Sequence, residues 1–219
     1  MPIMMTTIIQ VIHKDYAHHV TSPRERGNRM KVSKLQMAEH RDQIIESAAR
    51  QFRESGFDGI SVSDVMKEAG LTHGGFYGHF DSKEELMALA SQRAVHKSVS
   101  KYAKIIEGAP QKPLMTLVES YLSSRHQAHP ETGCLFAAVG SELARQPSSV
   151  KHAVMQEEAK LLELIARIVP GRTKAAKRKR AIAVFAELVG AMVLARSVPD
   201  PDLSEEILTA VSDSVAAGQ

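Results

Sequence analysis

The chain has 219 residues, 43% of them hydrophobic, and its 28 Lys and Arg nearly balance its 25 Asp and Glu, giving a net charge of +3. That balance argues against a non-specific DNA-packaging protein, which needs a strong basic excess, yet it permits a nucleic-acid partner. The single Cys excludes an intrachain disulfide, and no apolar run approaches the roughly 18 residues of a membrane span, so we expect a cytoplasmic protein with no membrane partner.

Residues 1–36 show neither helical nor strand periodicity, and they contain Pro23 and Gly27. Basic residues dominate the second half of this segment, namely Arg24, Arg26, Arg29, Lys31 and Lys34. We therefore predict a mobile basic arm over residues 1–36. Three interpretations stay open for it: a solvated tail, an arm lying on DNA phosphates, or sequence that precedes the true start codon, if synthesis begins at Met30 or Met37.

The first predicted helix begins near Ala38 and ends at Gly56, since Gly is a common C-terminal stop. Its apolar residues recur at helical spacing: Ile44, Ile45, Ala48, Ala49 and Phe52. Ser61 and Asp64 then form a capping box, with Asp in the place where Glu or Gln is preferred. A second, short helix is expected from there to Gly70.

A helix-turn-helix is predicted because a further short helix and a third helix start follow directly. Thr72 is the next expected N-cap, and Ser82 with Glu85 forms another capping box that opens a long helix towards Ile106 and Gly108. Two short helices around a Gly-containing turn are what a protein needs to project one helix into a DNA groove. The predicted head of the molecule is therefore a DNA-binding unit.

The rest of the chain carries five more apolar stripes at helical spacing, which lie in residues 114–122, 135–143, 150–168, 182–193 and 207–215. Pro and Gly residues separate most of them, and Ser204 is expected to cap the last. No strand-like alternation of useful length interrupts this pattern. We therefore predict an all-α protein.

Several side chains of the window have the chemistry of phosphate contacts. Thr72 should accept from the backbone N–H groups that follow it, which leaves a helix N-terminus that favours an anion. Tyr77, His79 and Lys83 group a phenol, an imidazole and an ammonium that could donate to successive phosphate oxygens. Base reading falls to His73 and to Ser63 of the preceding helix.

Two sets of residues in this window are expected to shape the short helix itself. Phe76 and Phe80 are four residues apart and should anchor it to the core. Gly74, Gly75 and Gly78 offer no side chain, and each Gly costs a helix interior roughly 0.8–1 kcal/mol against Ala. These glycines either allow close approach of a duplex or permit tight packing against neighbouring helices.

The window resembles the N-terminal domain of the TetR family of bacterial transcription regulators. The matching segments are Ser61-Val62-Ser63-Asp64-Val65, Ala69-Gly70-Leu71-Thr72, Gly74-Gly75-Phe76-Tyr77, His79-Phe80 and Ser82-Lys83-Glu84-Glu85-Leu86. A weaker resemblance extends over residues 187–208. The family often has Thr where this chain has Gly75, so its operator sequence does not follow from that of relatives.

The resemblance implies a specific function and a set of DNA contacts. The protein would be a sequence-specific transcription regulator, expected to be a repressor, with double-stranded operator DNA as its partner. A three-helix head at 37–84 would precede a larger helical effector-binding and dimerisation body at 85–219. The DNA contacts that the resemblance implies are Thr72, His73, Gly74, Gly75, Tyr77, His79 and Lys83, and with Ser61 and Ser63 added these residues form the predicted DNA-binding set.

The resemblance also implies a homodimer and an unknown small-molecule effector. The last two long helices would form the interface, through Ala183, Phe185, Ala186, Val189, Gly190, Met192, Val193, Ile207 and Val211. From the residues alone, these side chains could equally form the interior of a monomer. Candidate effector-pocket residues are Met115, Tyr121, Cys134, Phe136, Met155 and Leu162, for which ordinary core packing is the alternative.

Cys134 invites two further hypotheses. It follows Gly133 near an expected helix N-terminus, which would lower the pKa of its thiol and suit an oxidant sensor, whereas inert packing is the alternative. His126, His129 and Cys134 are metal-ligand residue types, but their spacing matches no zinc signature, so we predict surface histidines and no metal site.

An enzyme or small-molecule carrier in an all-α body is the rival interpretation. No Ser/His/Asp order, phosphate loop or paired carboxylate site stands out in the sequence. We therefore expect neither catalysis nor a cofactor.

Overall fold

The computed structural model describes the backbone from residue 23 to 218 and the side chains from residue 34 to 218. Within these residues every regular element is a helix. The α-helices are α1 (Pro23–Ser55), α2 (Val62–Glu68), α3 (Lys83–Glu107), α4 (Pro113–Tyr121), α5 (Ser124–Ala128), α6 (Leu135–Leu143), α7 (Ser148–Ile168), α8 (Lys174–Ser197) and α9 (Pro201–Ala217). Two 3-10 helices, His73–Gly78 and Pro130–Thr132, complete the described part.

Local sequence signals account for the helix boundaries of the head. Gly56 and Gly70 have φ angles of 80° and 73°, the left-handed conformation that ends a helix and that Gly adopts without strain. Ser61 accepts from the backbone N–H of Asp64 while the Asp64 side chain accepts from the Ser61 N–H, so the predicted capping box is confirmed. The Ser82 side chain likewise accepts from the N–H of Glu85 at the start of α3.

The first helix begins earlier than the sequence pattern predicted. Its backbone is helical from Pro23, so the expectation of irregular structure up to residue 36 is wrong for residues 23–36. Pro suits the first position of a helix, and the Arg, Lys, Glu, Gln, Met and Leu residues that follow favour helix without any apolar stripe. The remainder of the predicted arm, residues 1–22, lies outside the described residues.

Two other boundaries differ from the sequence expectation. Asp200, rather than Ser204, caps α9 by accepting from the N–H of Asp202. Ser204 is buried one turn into the helix, where its hydroxyl donates to the carbonyl of Ala195 at 2.8 Å. The five-residue helix α5 and the 3-10 helix at 130–132 were not predicted, because elements this short contain too few residues to show a period.

Buried apolar residues form two clusters, and both include part of α3. The head cluster contains Phe52, Phe76, Phe80 and Leu86, and it also contains residues of α6 and α7 such as Leu135. The body cluster begins with Tyr102 on α3 and includes α4, α7, α8 and α9. The packing boundary therefore lies within α3 rather than at the predicted division between residues 84 and 85.

Hydrogen bonds join the ends of α8 and α1 to the segment that runs from α5 to the first turn of α6. The Arg196 guanidinium donates to the carbonyls of His126 at 2.5 Å, Gln127 at 3.1 Å and Ala137 at 3.3 Å. From the other side, Arg53 near the end of α1 donates to the carbonyl of Gly133 at 3.1 Å. This segment is therefore fixed by hydrogen bonds as well as by apolar contacts.

None of the helices that the structure describes is both long enough and apolar enough to cross a membrane.

Candidate nucleic-acid interface

The 3-10 helix His73–Gly78, called the recognition helix below, is seated on the head by two aromatic rings. Phe76 and Phe80 are 0% and 2% exposed, and their rings stack with centroids 5.4 Å apart. Both belong to the cluster that contains Phe52 and Val65, which confirms the predicted anchoring role. With its inner side fixed in this way, the helix presents its other residues outward.

The outward side of the recognition helix carries few side chains. His73 and Gly74 are exposed, and Tyr77 exposes 71% of its surface. In a 3-10 helix, residues three apart lie above one another, so Gly74 and Tyr77 share one edge. Ser63 is also exposed, on the preceding helix α2.

Packing inside the chain does not explain the glycines at 74 and 78. A Cβ atom built at either position meets no atom within 4 Å. At Gly75 a Cβ would lie 3.6 Å from the Met66 methyl and 3.8 Å from the Thr72 hydroxyl, which are ordinary contacts. Tight packing against neighbouring helices, one of the two interpretations of the glycines, is therefore wrong for Gly74 and Gly78.

Two of the predicted contact residues, Thr72 and Lys83, have hydrogen bonds that the sequence pattern did not indicate, and a third, Ser61, is engaged in its predicted capping box. Thr72 makes no side-chain cap, and its carbonyl instead accepts from the N–H of Gly75 at 3.0 Å, so the expected side-chain cap is wrong. The Lys83 ammonium donates to the carbonyls of Phe57 at 2.9 Å and Ile60 at 2.7 Å, which leaves one N–H for any other partner. The Ser61 hydroxyl is engaged with Asp64.

Arg41 on α1 fixes the C-terminal end of the recognition helix. Its guanidinium donates to the carbonyl of His79 and to Glu85 at 2.6 Å, and it lies over the Phe80 ring at 4.3 Å from the centroid. A cation at this end of a helix also complements the exposed carbonyl groups. No local sequence pattern indicates this role, because 38 residues separate Arg41 from His79.

His79 itself is partly exposed beside a second histidine. Its imidazole lies 6.1 Å from that of His40, measured between ring centroids, with the ring planes at 70°. Partial burial lowers the pKa of His79 below its ordinary value, and the nearby His40 and Arg41 lower it further. His79 was a predicted contact residue, whereas His40 was not.

Some comparisons with known proteins match the head alone, and others match most of the chain. The family model described as "Bacterial regulatory proteins, tetR family" matches residues 44–90. The chain is 27% identical over 198 residues to the HTH-type transcriptional repressor AcnR of Corynebacterium diphtheriae, covering 86% of this chain and 97% of AcnR. A TetR-family regulator from Cytophaga hutchinsonii has the same fold, with a TM-score of 0.70 at 19% identity over 84% of this chain and 96% of that one.

The head of this chain, over residues 44–90, therefore has the sequence pattern of the TetR family. Some matches cover less than half of the chain: the HTH-type transcriptional regulator YerO of Bacillus subtilis is 29% identical over 91 residues, 42% of this chain. The chain spans only about a third of the length of YerO, 32%, and 43% of the length of the repressor KstR2 of Mycolicibacterium smegmatis. The family match covers the end of α1, α2, the recognition helix and the first turns of α3.

In the helical body, the six predicted effector residues do not line one site. Tyr121, Cys134 and Leu162 are buried in the body cluster, and Met115 packs against it. Phe136 and Met155, by contrast, line an open cleft of about 440 Å³ between α6 and α7. Met155 is 55% exposed there.

The structure corrects both hypotheses about Cys134. The thiol is 1% exposed, and burial raises its pKa rather than lowering it, which makes a thiolate sensor unfavourable. His126 is a buried side chain and not a surface one: its Nε2 accepts from the N–H of Cys134 at 2.9 Å, and its Nδ1 lies 2.6 Å from the carbonyl of Tyr121. Among the residues with described side chains, no three His, Cys, Asp or Glu lie close enough together to hold a metal ion.

The predicted dimer residues divide into an inner and an outer group. Phe185 and Met192 are 7% and 0% exposed in the single chain, so they face its own core and their assignment to an interface is wrong. Ala186 and Gly190 are exposed, and Val193 exposes 45% of its surface. The remaining predicted residues, Ala183, Val189, Ile207 and Val211, are partly buried.

The exposed face of α8 and α9 is larger than the sequence indicated. Ile182, Leu194 and Leu203 were not predicted, yet they expose 48%, 56% and 42% of their surfaces. Residues three and four apart in a helix lie on the same side, so Ile182, Ala186, Gly190 and Val193 form one stripe along α8. We call this stripe, together with Leu203, the α8–α9 face.

Proposed function

We propose that this protein is a sequence-specific transcription regulator of the TetR family, acting as a repressor, that binds operator DNA through its recognition helix. The observation that carries the proposal is the glycine-lined outer edge of that helix. Gly74 and Gly78 have open space where a side chain would stand, and helix propensity disfavours Gly there. A duplex lying against this edge gives the glycines a function, because the backbone then approaches the groove closely.

The residues around this edge supply the contacts. Tyr77 exposes 71% of its surface, and Thr72 is exposed and makes no side-chain cap. The hydroxyl groups of both residues are therefore suited to donate to phosphate oxygens. His79 is the third phosphate contact, whereas Lys83 contributes through its remaining N–H only. His73 lies at the exposed start of the recognition helix, where a side chain can reach base edges.

The α8–α9 face is the proposed site of dimerisation. A single helix-turn-helix makes few contacts, and specific affinity usually needs two half-sites read by a symmetric dimer. Ala186 and Gly190 permit close backbone approach, while Ile182, Val193 and Leu203 provide apolar area. A Val193→Asp substitution should shift the protein towards monomer in analytical ultracentrifugation; a monomeric wild type would contradict this assignment.

The cleft between α6 and α7 is the proposed effector site. It is lined by Phe136, Leu143 and Met155, which suit an apolar or aromatic molecule. Both of its walls also contact the head: Glu142 accepts from the N–H of Phe57 at 2.9 Å, and the Ser149 hydroxyl donates to Glu84. A ligand that separates the two helices would therefore shift the head between DNA-competent and incompetent positions.

Filling the cleft tests this assignment. A Gly140→Leu substitution places a side chain among the lining residues, and a Cβ there meets only Phe136 at 3.9 Å. Binding of the fluorescent probe N-phenyl-1-naphthylamine should fall in this variant, while DNA affinity is retained. Equal probe binding by both proteins would remove the cleft from consideration.

Selection of DNA from a random pool tests the regulatory function itself. The retained sequences should share one motif, and gel shifts with that DNA should show tighter binding than with competitor at two salt concentrations. Tyr77→Phe should weaken binding to all sequences alike, His73→Ala should change the preferred sequence, and Lys112→Ala, in the body, serves as the control. Failure to enrich any motif would overturn the proposal.

A further inference from the structure

Two histidines from distant parts of the sequence meet at the C-terminal end of the recognition helix. His40 comes from α1, and His79 is the residue that caps the recognition helix. Their imidazole centroids are 6.1 Å apart, and both side chains are partly exposed. The pair therefore lies at the edge of the surface that carries Tyr77, two residues before His79.

The hydrogen-bond acceptors beside the two imidazoles already accept from other groups of the protein. Both carboxylate oxygens of Glu85 are engaged, one by Arg41 at 2.6 Å and the other by the N–H of Asp81 at 2.8 Å. Arg41 also occupies the His79 carbonyl. Among the residues whose side chains are described, neither ring of the histidine pair has a hydrogen-bonded protein partner. The charged and titratable groups around the pair are Arg41, Asp81 and Glu85.

Two neighbouring imidazoles without an acceptor suit an external anion that has several acceptor oxygens. A phosphodiester provides two unbridged oxygens, so each ring could donate to one of them. Arg41 adds positive charge on the same side of the recognition helix. We propose that His40 and His79 together form a phosphate-binding site for DNA, and that occupation of this site takes up a proton from solvent. The inference rests on the proposed function and adds His40 to the DNA contacts.

The direction of the proton movement follows from the charges. In the free protein, the neighbouring His40, the Arg41 guanidinium and partial burial all disfavour the charged form of His79 and lower its pKa. A phosphate placed between the rings reverses this, because the negative charge stabilises an imidazolium. Binding is therefore stronger at lower pH. Uptake of one proton gives at most about a tenfold gain in affinity per pH unit.

The experiment uses the full chain and a duplex bearing the motif selected from the random pool. Fluorescence anisotropy at constant ionic strength between pH 6.0 and 8.0 should show affinity rising several-fold as the pH falls. Calorimetry in buffers of different ionisation enthalpy should count a net uptake of up to about one proton per protomer bound. In His40→Gln both the pH dependence and the proton uptake should shrink.

Two further variants complete the test. One places a permanent charge at position 40, and the other changes a histidine outside the proposed site. His40→Arg carries a charge at every pH, so it should bind at pH 8.0 about as tightly as the wild type binds near pH 6.0. His129→Gln changes an exposed histidine that pairs with Glu131 in the body and should keep the wild-type pH dependence.

Each outcome of this test bears on a single proposal. An unchanged pH slope in both His40 variants, with circular dichroism showing them folded, would overturn the phosphate site. Wild-type protein that binds the selected duplex no better than competitor DNA at any pH would instead overturn the proposed function.

Discussion

The recognition helix and segment 126–137 differ in how their polar groups are used. Those of the recognition helix face solvent, whereas those of the segment are hydrogen-bonded inside the protein. On the recognition helix, Tyr77, Gly74 and Gly78 are exposed, and a Cβ at either glycine would meet no other atom of the chain within 4 Å. In segment 126–137, the His126 ring is hydrogen-bonded to the Cys134 N–H and the Tyr121 carbonyl, and the carbonyls of Gly133 and His126 accept from Arg53 and Arg196. Substitutions in the first region should therefore alter DNA binding with little loss of stability, whereas substitutions in the second should mainly lower stability.

The largest expected effect tests this contrast within the recognition helix itself. Phe76→Ala should lower the free energy of unfolding by about 3–5 kcal/mol, because it removes a fully buried ring. Tyr77→Ala, one residue later, should change it by less than about 0.5 kcal/mol while weakening DNA binding. Urea denaturation followed by circular dichroism gives both values. Similar losses in the two variants would show that the outward residue is also structural.

An intermediate effect is expected from pH in segment 126–137. Burial lowers the pKa of His126 from 6.5 to about 4, and its Nε2 must stay unprotonated to accept from the N–H of Cys134. Because the folded pKa lies below the unfolded one, the unfolded chain takes up the proton first as the pH falls. The contribution of neutral His126 to the free energy of unfolding is therefore complete above pH 6.5. It falls progressively towards pH 4, by about 3 kcal/mol in total.

Urea denaturation at pH 7.0 and pH 4.5 measures this loss. His126→Gln should be less stable than wild type at pH 7.0 but should lose less on acidification. His129→Gln, which changes an exposed histidine, should follow the wild type at both pH values. If wild type and His126→Gln lose equal stability, other groups cause the acid sensitivity.

The smallest effect separates stability from DNA binding at a single atom. Gly74→Ala should raise the free energy of unfolding by up to about 1 kcal/mol, because Ala favours helix and its Cβ meets nothing. The same methyl group should weaken binding to the selected duplex, since it occupies space that the DNA backbone or a base edge needs. Gly78→Ala is the comparison at the other end of the helix. A Gly74→Ala protein with unchanged DNA affinity would place the duplex elsewhere.

Local signals in the sequence predicted most of the fold. Capping boxes at Ser61 and Ser82 and the stop at Gly56 are formed by neighbouring residues, so a single sequence contains them in full. The burial of Phe76 and Phe80 followed from their spacing in the same way. The helical start at Pro23 and the short α5 were missed, because neither has an apolar period.

Contacts between distant residues account for what the sequence could not predict. The roles of Arg41, His40 and Lys83 each depend on partners that are more than 20 residues away. The same holds for the dimer residues, since helical spacing identifies a stripe but not which side faces the core. For this reason Phe185 and Met192 were assigned outward, although they face inward.

The apolar cluster of the head has one further consequence, for protein engineering. The cluster also contains five side chains from α6 and α7, namely Leu135, Val139, Leu143, Val150 and Val154. An excised head would therefore lose part of its apolar core. A chimeric biosensor could be made by joining this head to the body of another regulator. Such a chimera would have to include those five side chains. A graft that joined the two proteins at the start of α3 alone would expose an unmatched hydrophobic surface and should aggregate.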